Sequence, residues 1–338
     1  MRIVMLGHSG VGKTTFMASL YGIMQQKIEG FSLKTEDAEV GRELKAIAQD
    51  ISSNRYPPAT AIRTEYSFSL QYQGKDIFPF VWSDYRGGAI RSRQVDAEDS
   101  AKLVNEIREA DGIMMFCDCE SLLNKKENAT KNEIRRMTYL VNQAVENIDR
   151  PISLAIVLTK IDKISRFDPR LFKLFEGLIG VINASNWILA SFIPVSCGST
   201  FINVPIPLMY ALRSSVIYHL KLAEHLVQHH CEEYEKYTKS SKGISGAIKW
   251  ARDSWNGYTT DAENARKALL EAYQIYQVYE SIKDPVIALA TYLEKIPMIE
   301  EKNNLQAYIS SCETLQFHYS LPGFVVKTRS KQENFGWF

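Results

Sequence analysis

Residues 7–14 read Gly7-His8-Ser9-Gly10-Val11-Gly12-Lys13-Thr14. They follow a short apolar run with strand character, residues 2–6, and precede residues 15–21, which are typical of a helix. In this context the pattern G-x-x-x-x-G-K-[ST] predicts a phosphate-binding loop, because glycines let backbone N–H groups face anionic oxygens and the helix N-terminus is partly positive. We expect Lys13 to reach the β- and γ-phosphates of a nucleotide and Thr14 to bind Mg²⁺, with Thr15 among the nucleotide contacts.

The composition indicates a folded chain. Of its 338 residues, 45% are hydrophobic and 23% are charged, and the formal net charge is +1. Two domains are expected at this length, and the charge gives no global reason to expect nucleic acid as a partner. No apolar run approaches the roughly 18 residues that cross a bilayer, and the first strand begins too early for a signal peptide, so we expect a cytoplasmic protein. Its five cysteines lack metal-type pairing, and we expect reduced thiols.

Apolar runs alternate with helical segments over the first two hundred residues. This pattern predicts an α/β fold, namely a mostly parallel sheet with helices on both faces. We predict strands at 3–6, 66–72, 77–82, 112–117, 152–158 and 191–195, and helices at 13–27, 98–110, 130–148, 168–185 and 204–222. Residues 66–72 alternate with period two before the turn Gln73-Gly74-Lys75-Asp76, which predicts one antiparallel edge hairpin. Within the long connection 28–63, helical spacing predicts an inserted helix at about 36–53.

Helical periodicity dominates the rest of the chain. We predict a nucleotide domain over 1–222, an all-α domain over 223–320 and an aromatic, basic tail over 321–338. His225 and His229 have the i, i+4 spacing of a metal pair but no third ligand, which favours a solvated helix face. Residues 244–255 are amphipathic and aromatic, and packing in the helical domain is favoured over contact with a membrane surface or a partner helix.

Three later stretches carry groups suited to a guanine nucleotide. A strand ends at Asp84, and Gly87 completes an Asp-x-x-Gly pattern; the carboxylate suits water-mediated Mg²⁺ coordination and the glycine N–H suits a γ-phosphate. Thr159-Lys160-Ile161-Asp162 follows another strand, and Asp162 can accept hydrogen bonds from guanine N1–H and N2–H₂, which adenine lacks. Ser196-Cys197-Gly198 follows the last strand and offers backbone N–H groups to guanine O6.

In order and spacing, these motifs resemble those of the Ras-like, translation-factor-related (TRAFAC) P-loop GTPases. The resemblance covers about residues 1–222, with 159–162 in place of N-K-x-D and 196–198 in place of S-A-K. The inserted helix followed by Pro57-Pro58-Ala59-Thr60 resembles the bacterial double-GTPase group. The resemblance implies GTP and GDP with Mg²⁺ as ligands, and it implies that Thr60 or Thr64 is the first-switch threonine on the metal. We prefer Thr60, because several residues normally separate that threonine from the next strand.

The chain also departs from the family pattern. Thr159 replaces the usual asparagine, although its hydroxyl can still bond the phosphate loop. Ser9 stands where many small GTPases carry glycine, and Gly88 stands where a glutamine would orient the attacking water, so intrinsic hydrolysis is expected to be slow. We assign catalysis to Lys13, Thr60 and Gly87. The candidates for a substitute group are Arg63, Arg86 and His8, although such arginines are usually solvated and His8 is expected to be an exposed spacer in the loop.

The resulting hypothesis is a guanine-nucleotide switch that hydrolyses GTP slowly or only with the help of a partner protein. This partner is expected to bind the switch loops and the helical domain. The first alternative is an interaction module that binds GTP or GDP without hydrolysing it, which Gly88 favours. The second alternative is an ATPase, which Asp162 opposes.

Overall fold

The computed structural model describes residues 1–58, 64–84, 97–124, 127–146, 148–238, 260–300 and 303–322. The strands of the main sheet are β1 (Arg2–Leu6), β2 (Phe31–Thr35), β3 (Thr64–Tyr72), β4 (Lys75–Asp84), β5 (Gly112–Asp118), β6 (Ile152–Thr159) and β7 (Ile188–Pro194). Their order is β2-β3-β4-β1-β5-β6-β7, and β3 runs in the direction opposite to that of the other six strands. Every residue of β5 and β6 is buried, as expected for central parallel strands covered on both faces.

Helices cover both faces of this sheet. They are α1 (Lys13–Ile23), α2 (Ala38–Ser52), α3 (Ala97–Glu109), α4 (Cys119–Asn124), α5 (Glu127–Val145), α6 (Pro169–Lys173), α7 (Glu176–Ala184), α8 (Ile206–Thr238), α9 (Thr260–Leu293) and α10 (Leu305–Thr314). Alternate residues of β1 enter two separate cores, since Ile3 and Met5 pack with α1, α2, α8 and α9, whereas Val4 and Leu6 pack with α3, α5, α6, α7 and α10. The predicted α/β class, with helices on both faces, is confirmed.

The predicted antiparallel hairpin is also confirmed. Strands β3 and β4 pair from Thr64 opposite Asp84 to Tyr72 opposite Lys75. Between them, Gln73 and Gly74 both have positive φ, 52° and 88°. Two residues of positive φ form the turn whose twist matches that of the flanking strands.

Strand β2 was not predicted from the sequence. The connection 28–63 contains this edge strand, which pairs antiparallel with β3 from Phe31 opposite Tyr72 to Thr35 opposite Phe68. Phe31 and Leu33 are buried on one face, and Gly30 turns the chain into the strand with φ 86°. The inserted helix predicted at 36–53 matches α2, whose first N–H groups, those of Glu39 and Val40, donate to the N-cap side chain of Asp37.

Two predicted helices differ in length from the structure. The helix predicted at 168–185 is two helices, α6 and α7, with the break at residues 174–175. The helix predicted at 204–222 continues to Thr238 as α8, so residue 222 lies inside a helix rather than in a linker. Helix α8 packs on β5 and β6, and Gly112 permits the close approach because a Cβ atom there would collide with the Ala211 carbonyl.

The C-terminal helices contribute to the cores of the sheet. Leu289 and Leu293 of α9 join the core that contains α1, and Tyr308 and Cys312 of α10 join the core that contains α5. Beyond the sheet, Val227 and Cys231 of α8 pack against Ala272 of α9. The division into units at 1–222 and 223–320 stays a prediction.

Asn203 joins the C-terminal segment to the end of the sheet. A small antiparallel sheet of Ser196–Cys197, Phe201–Ile202 and His318–Tyr319 lies beside it. The Asn203 side chain is fully buried; its amide nitrogen donates to Pro194 O (2.8 Å) and Leu315 O (2.6 Å), and its oxygen accepts from Phe317 N (2.8 Å). One side chain therefore satisfies three buried backbone groups.

Asn203→Ala should lower the free energy of unfolding by about 3 kcal/mol or more, because it leaves these buried groups without their partner. Urea unfolding followed by circular dichroism measures this. Asn54→Ala is the matched control: Asn54 has a similar positive φ (60° against 57°) but is exposed, so the two variants share the backbone strain and differ in the buried hydrogen bonds. Equal losses in the two variants would contradict the role assigned to Asn203.

Several sequence predictions lie outside the described residues: the amphipathic stretch 244–255, most of the tail 321–338, and positions 59–63 and 85–96. Along the described part of the chain, no helix is both long enough and apolar enough to cross a membrane.

Candidate functional site

The loop between β1 and α1 has the backbone of an anion cradle. Gly7, Gly10 and Gly12 have φ values of 149°, 84° and 96°, a region that L side chains rarely adopt. A Cβ atom at Gly7 would lie 2.9 Å from Phe116 O, whereas Cβ atoms at Gly10 and Gly12 would meet no atom within 4 Å. The loop is therefore packed tightly against β5 at Gly7 and open at Gly10 and Gly12, which fits a bound phosphate group.

Lys13 begins α1, and its ammonium group turns back over the loop. Its Nζ donates to Gly7 O (2.9 Å) and lies 3.4 Å from His8 O, and the residue is only 8% exposed. A buried ammonium held by neutral carbonyls is poised to exchange those contacts for phosphate oxygens. Thr14 and Thr15 follow in the first turn of α1, both partly exposed.

Thr159 connects the phosphate loop to the loop that carries Asp162. Its buried hydroxyl lies 2.8 Å from Val11 O, to which it donates, and 3.2 Å from Cys117 O. The hydroxyl contact to the phosphate loop that the sequence suggested is therefore present. It brings together two motifs that are 148 residues apart.

Thr159→Ala should weaken GDP binding by about tenfold, because it removes this hydrogen bond and leaves buried carbonyls unsatisfied. Titration with a fluorescent GDP analogue measures the change. Thr159→Ser keeps the hydroxyl and should restore most of the affinity. Thr314→Ala is the matched control, since the Thr314 hydroxyl bonds only carbonyls of its own helix, those of Ser310 and Ser311. Unchanged affinity in Thr159→Ala would show that the hydrogen bond does not support the loop.

Asp162 lies in a short 3₁₀ helix, Ile161–Lys163, directly after β6. Ser196 Oγ lies 3.1 Å from Asp162 Oδ1, to which it donates, and Lys163 Nζ lies 3.5 Å from Asp162 Oδ2. The structure thus brings the Asp162 carboxylate together with the Ser196-Cys197-Gly198 loop, as guanine recognition by both would require.

Asp118, which the sequence reasoning did not single out, holds the lysine of this motif. Lys160 Nζ donates to Asp118 Oδ2 (2.7 Å), and Ser121 donates to the same carboxylate through its N–H and its hydroxyl. Burial alone would raise the pKa of Asp118, but Lys160 and Ser121 outweigh burial and lower it, so the carboxylate stays ionised at neutral pH. The available signal was position: Asp118 ends β5 directly beside Thr159 of β6.

Tyr56 is a second residue that the sequence did not indicate. It follows α2 in the segment that leads to the predicted first switch, and a Cβ atom at Gly198 would lie 2.8 Å from its hydroxyl oxygen. A larger residue at position 198 would have to displace the exposed Tyr56 ring, which lies beside the loop predicted to contact guanine O6.

His8 is not the exposed spacer that we expected. The residue is 3% exposed, and its Nε2 lies 3.8 Å from Glu133 Oε2 on α5. A cavity of about 170 Å³ beside the loop is lined in part by His8, Asp118, Glu133 and Lys160. The imidazole is buried because it packs between the phosphate loop and α5.

Asp84 is described only through its backbone. It is the last residue of β4, beside Met5 of β1 and Thr64 of β3, and so lies at the carboxyl end of the parallel strands near the phosphate loop. Thr60, Arg63, Arg86, Gly87 and Gly88 lie outside the described residues.

The histidines and cysteines that the sequence raised as possible metal ligands do not belong to a metal site in the described part of the chain. Among the described residues, no group of three or more His, Cys, Asp or Glu side chains is arranged to hold a metal ion. Cys117 and Cys119 are buried, and burial raises the pKa of both thiols well above the usual value, so they are poor thiolate ligands. His225 and His229 are exposed on α8, as expected for a solvated helix face, whereas His230 is half-buried and its Nδ1 lies 3.6 Å from Glu271 Oε2 on α9.

Comparisons with known proteins address the family. The family model "Double-GTPase 2" matches residues 2–182, more than half of the chain. No curated protein is similar enough in sequence to count as a relative.

One similar solved structure is a variant of SsGBP, with 16% sequence identity and a TM-score of 0.31; the match covers 58% of this chain and 50% of that chain. Another is the signal recognition particle receptor SRb-GTP/SRX complex from Chaetomium thermophilum, with 13% identity and a TM-score of 0.37; the match covers 58% of this chain and 90% of that chain. A third is the GTPase-like domain of S. cerevisiae Ski7 bound to GTP, with 15% identity and a TM-score of 0.35; the match covers 58% of this chain and 42% of that chain. This chain thus spans half the length of the SsGBP variant. Because the TM-scores of these structures lie below 0.5, the family assignment rests on the family model alone. The chain belongs to the Double-GTPase 2 family of P-loop GTPases.

Proposed function

We propose that this protein is a guanine-nucleotide switch that binds GTP and GDP with Mg²⁺ and hydrolyses GTP slowly, or faster with a partner. One observation carries the proposal: the Thr159 hydroxyl ties the phosphate loop to the loop of Asp162. In this proposal the hydrogen bond couples the loop that binds phosphate to the loop that selects the base. A protein that only bound phosphate would not need this connection.

The residues have separate tasks in this proposal. Lys13 and the loop N–H groups bind the phosphate oxygens, and Asp162 accepts hydrogen bonds from the guanine edge. Lys160, held by Asp118, borders the nucleotide, and the N–H groups of 196–198 face guanine O6. Thr14, Asp84 and Thr60 would hold Mg²⁺, which when bound neutralises charge that develops on the phosphates. Gly87 offers its N–H to the γ-phosphate.

Slow hydrolysis follows from Gly88, which has no side chain to orient a water molecule. Arg63 and Arg86 are the nearest alternatives along the chain. The His8 ring is buried beside Glu133, and we do not assign it to the attacking water. We therefore propose that a partner, bound through the switch loops 54–64 and 84–97, supplies the group that orients the attacking water. Separately, we propose that the protein acts in the cytoplasm.

The alternative is an interaction module that binds GTP or GDP without hydrolysing it. It is favoured by Gly88 alone and predicts the same ligands. An ATPase is opposed by the Asp162 carboxylate, because adenine has no donors at N1 and C2 to match it.

Single-turnover hydrolysis distinguishes these functions. The protein is loaded with GTP or ATP and Mg²⁺, and product is followed with and without cell extract. We expect slow GTP turnover that extract accelerates, and no ATP turnover. Binding of GTP without turnover, even with extract, would select the non-hydrolysing module, and equal binding of ATP and GTP would overturn guanine specificity.

A further inference from the structure

A groove of about 800 Å³ lies between α4 and α5 on one side and α6 and α7 on the other. Its volume falls in the range of sites that bind small ligands or a few side chains of a peptide. Its lining residues belong to described parts of the chain. None of them belongs to the nucleotide-binding motifs.

The rim of the groove is positively charged. Among the described lining residues, four are cations (Lys131, Arg135, Arg170 and Lys173) and one, Glu176, is a carboxylate. Arg170 is partly neutralised because it pairs with Asp168, at 2.8 Å. Arg135 and Lys173 are exposed at opposite walls of the groove. On a chain with a net charge of only +1, this is a local concentration of positive charge, and it complements an acidic partner.

The floor of the groove is apolar. It is lined by Leu122, Leu123, Ile134 and Leu174, and none of the lining residues that the structure describes is aromatic. Single-stranded nucleic acid is usually held by aromatic stacking, and a membrane surface needs a convex or flat patch rather than a groove. A peptide that combines carboxylates with aliphatic side chains matches both the charged rim and the apolar floor.

We propose that this groove docks a segment of a partner protein that carries aspartate or glutamate together with leucine-type side chains. The acidic residues pair with Arg135 and Lys173, and the aliphatic residues bury against Leu123 and Leu174.

The groove is also adjacent to the phosphate loop. Leu122 and Ile134 line both the groove and the cavity beside His8. Helix α4 in turn begins beside Asp118, which holds Lys160. A segment that docks on Leu123 and Leu174 also borders Leu122 and Ile134, which belong to the packing around the loop, so its affinity should depend on the bound nucleotide. This dependence rests on the proposed guanine-nucleotide function, whereas the docking itself does not.

A random peptide display library selected on the full-length protein tests the docking. We expect selected peptides to be enriched in Asp or Glu together with Leu, Ile or Phe. Their affinity should fall by about tenfold or more in the double variant Arg135→Glu/Lys173→Glu. The matched control is Arg42→Glu/Lys45→Glu on α2, where two exposed cations are reversed on a different helix, and its affinity should stay within about twofold of wild type. Circular dichroism verifies that both variants are folded.

Selected peptides without acidic residues, or equal binding to both double variants, would overturn the proposal. It would also be overturned if a 20-nucleotide RNA or vesicles of anionic phospholipid bound more tightly than the peptides and lost binding in Arg135→Glu/Lys173→Glu. Peptide affinity measured with GDP and with a non-hydrolysable GTP analogue should differ by about threefold or more. Equal affinities in protein that binds both nucleotides would refute the coupling, whereas absence of nucleotide binding would refute the proposed function and leave the docking result intact.

Discussion

Asp162→Asn should exchange guanine for xanthine as the preferred base, with a loss of GTP affinity of about a hundredfold or more. The carboxylate is expected to accept two hydrogen bonds from guanine, and a hydrogen bond to a charged group is worth about 1.5–3 kcal/mol. An amide at this position would place an N–H donor against a guanine donor. Xanthine has a carbonyl at C2, so the amide can donate to it while its oxygen accepts from N1–H.

The surroundings of Asp162 support this exchange. Ser196 donates to Oδ1, and this contact can persist to the amide oxygen of the variant, so the loop should keep its conformation. Competition of GTP, XTP and ATP against a fluorescent GDP or XDP analogue measures the preference. Asp149→Asn, a change at an exposed carboxylate after α5, serves as control and should leave the preference unchanged. If Asp162→Asn retains its preference for GTP, the assignment of Asp162 to base recognition is wrong.

Lys13→Met should weaken GDP and GTP binding by about a hundredfold or more while the protein stays folded. Methionine fills the volume of the lysine stem but removes the ammonium, and with it charge-assisted hydrogen bonds to the phosphates. In the structure this ammonium is buried and bonded to Gly7 O and His8 O, so the phosphate loop loses an internal support as well.

Isothermal titration with GDP measures this loss, and thermal unfolding without nucleotide verifies the fold. Lys34→Met is the control, because Lys34 is an exposed lysine on β2 that pairs with Asp76 at 3.3 Å. GDP affinity of Lys13→Met within about threefold of wild type would contradict the assignment of Lys13 to the phosphates.

Local patterns sufficed for much of the fold. A positive φ costs glycine little conformational energy, so the pair Gln73-Gly74 indicated a hairpin turn. The spacing of apolar residues indicated α2. The β2 strand escaped prediction because its five residues are too short a pattern to stand out within a long connection, even though Phe31 and Leu33 alternate with polar residues, and pairing with β3 stabilises the strand. Helices α6 and α7 were merged because the apolar period continues across the break between them.

The site was predictable where a motif is contiguous in sequence. The residues that stayed hidden act across the fold: Asp118 meets Lys160 from a neighbouring strand, and Tyr56 meets Gly198 from a distant loop. His8 was misjudged because residues in a loop are usually exposed, and its burial depends on Glu133 and the packing of α5. Such contacts depend on topology, which a single sequence specifies only indirectly.

Helix α8 is anchored to the sheet near its start. Ser214 bonds Ser153 of β6 through the two hydroxyls (2.6 Å), and Ser215 donates to Asp111 (2.9 Å), whereas the helix continues without a break to Thr238. At 1.5 Å per residue, the part beyond Ser215 is about 35 Å long. Because Val227 and Cys231 of α8 pack against Ala272 of α9, a tilt of about 5° at the serine anchors would carry both helices together and displace the far end of α8 by about 3 Å.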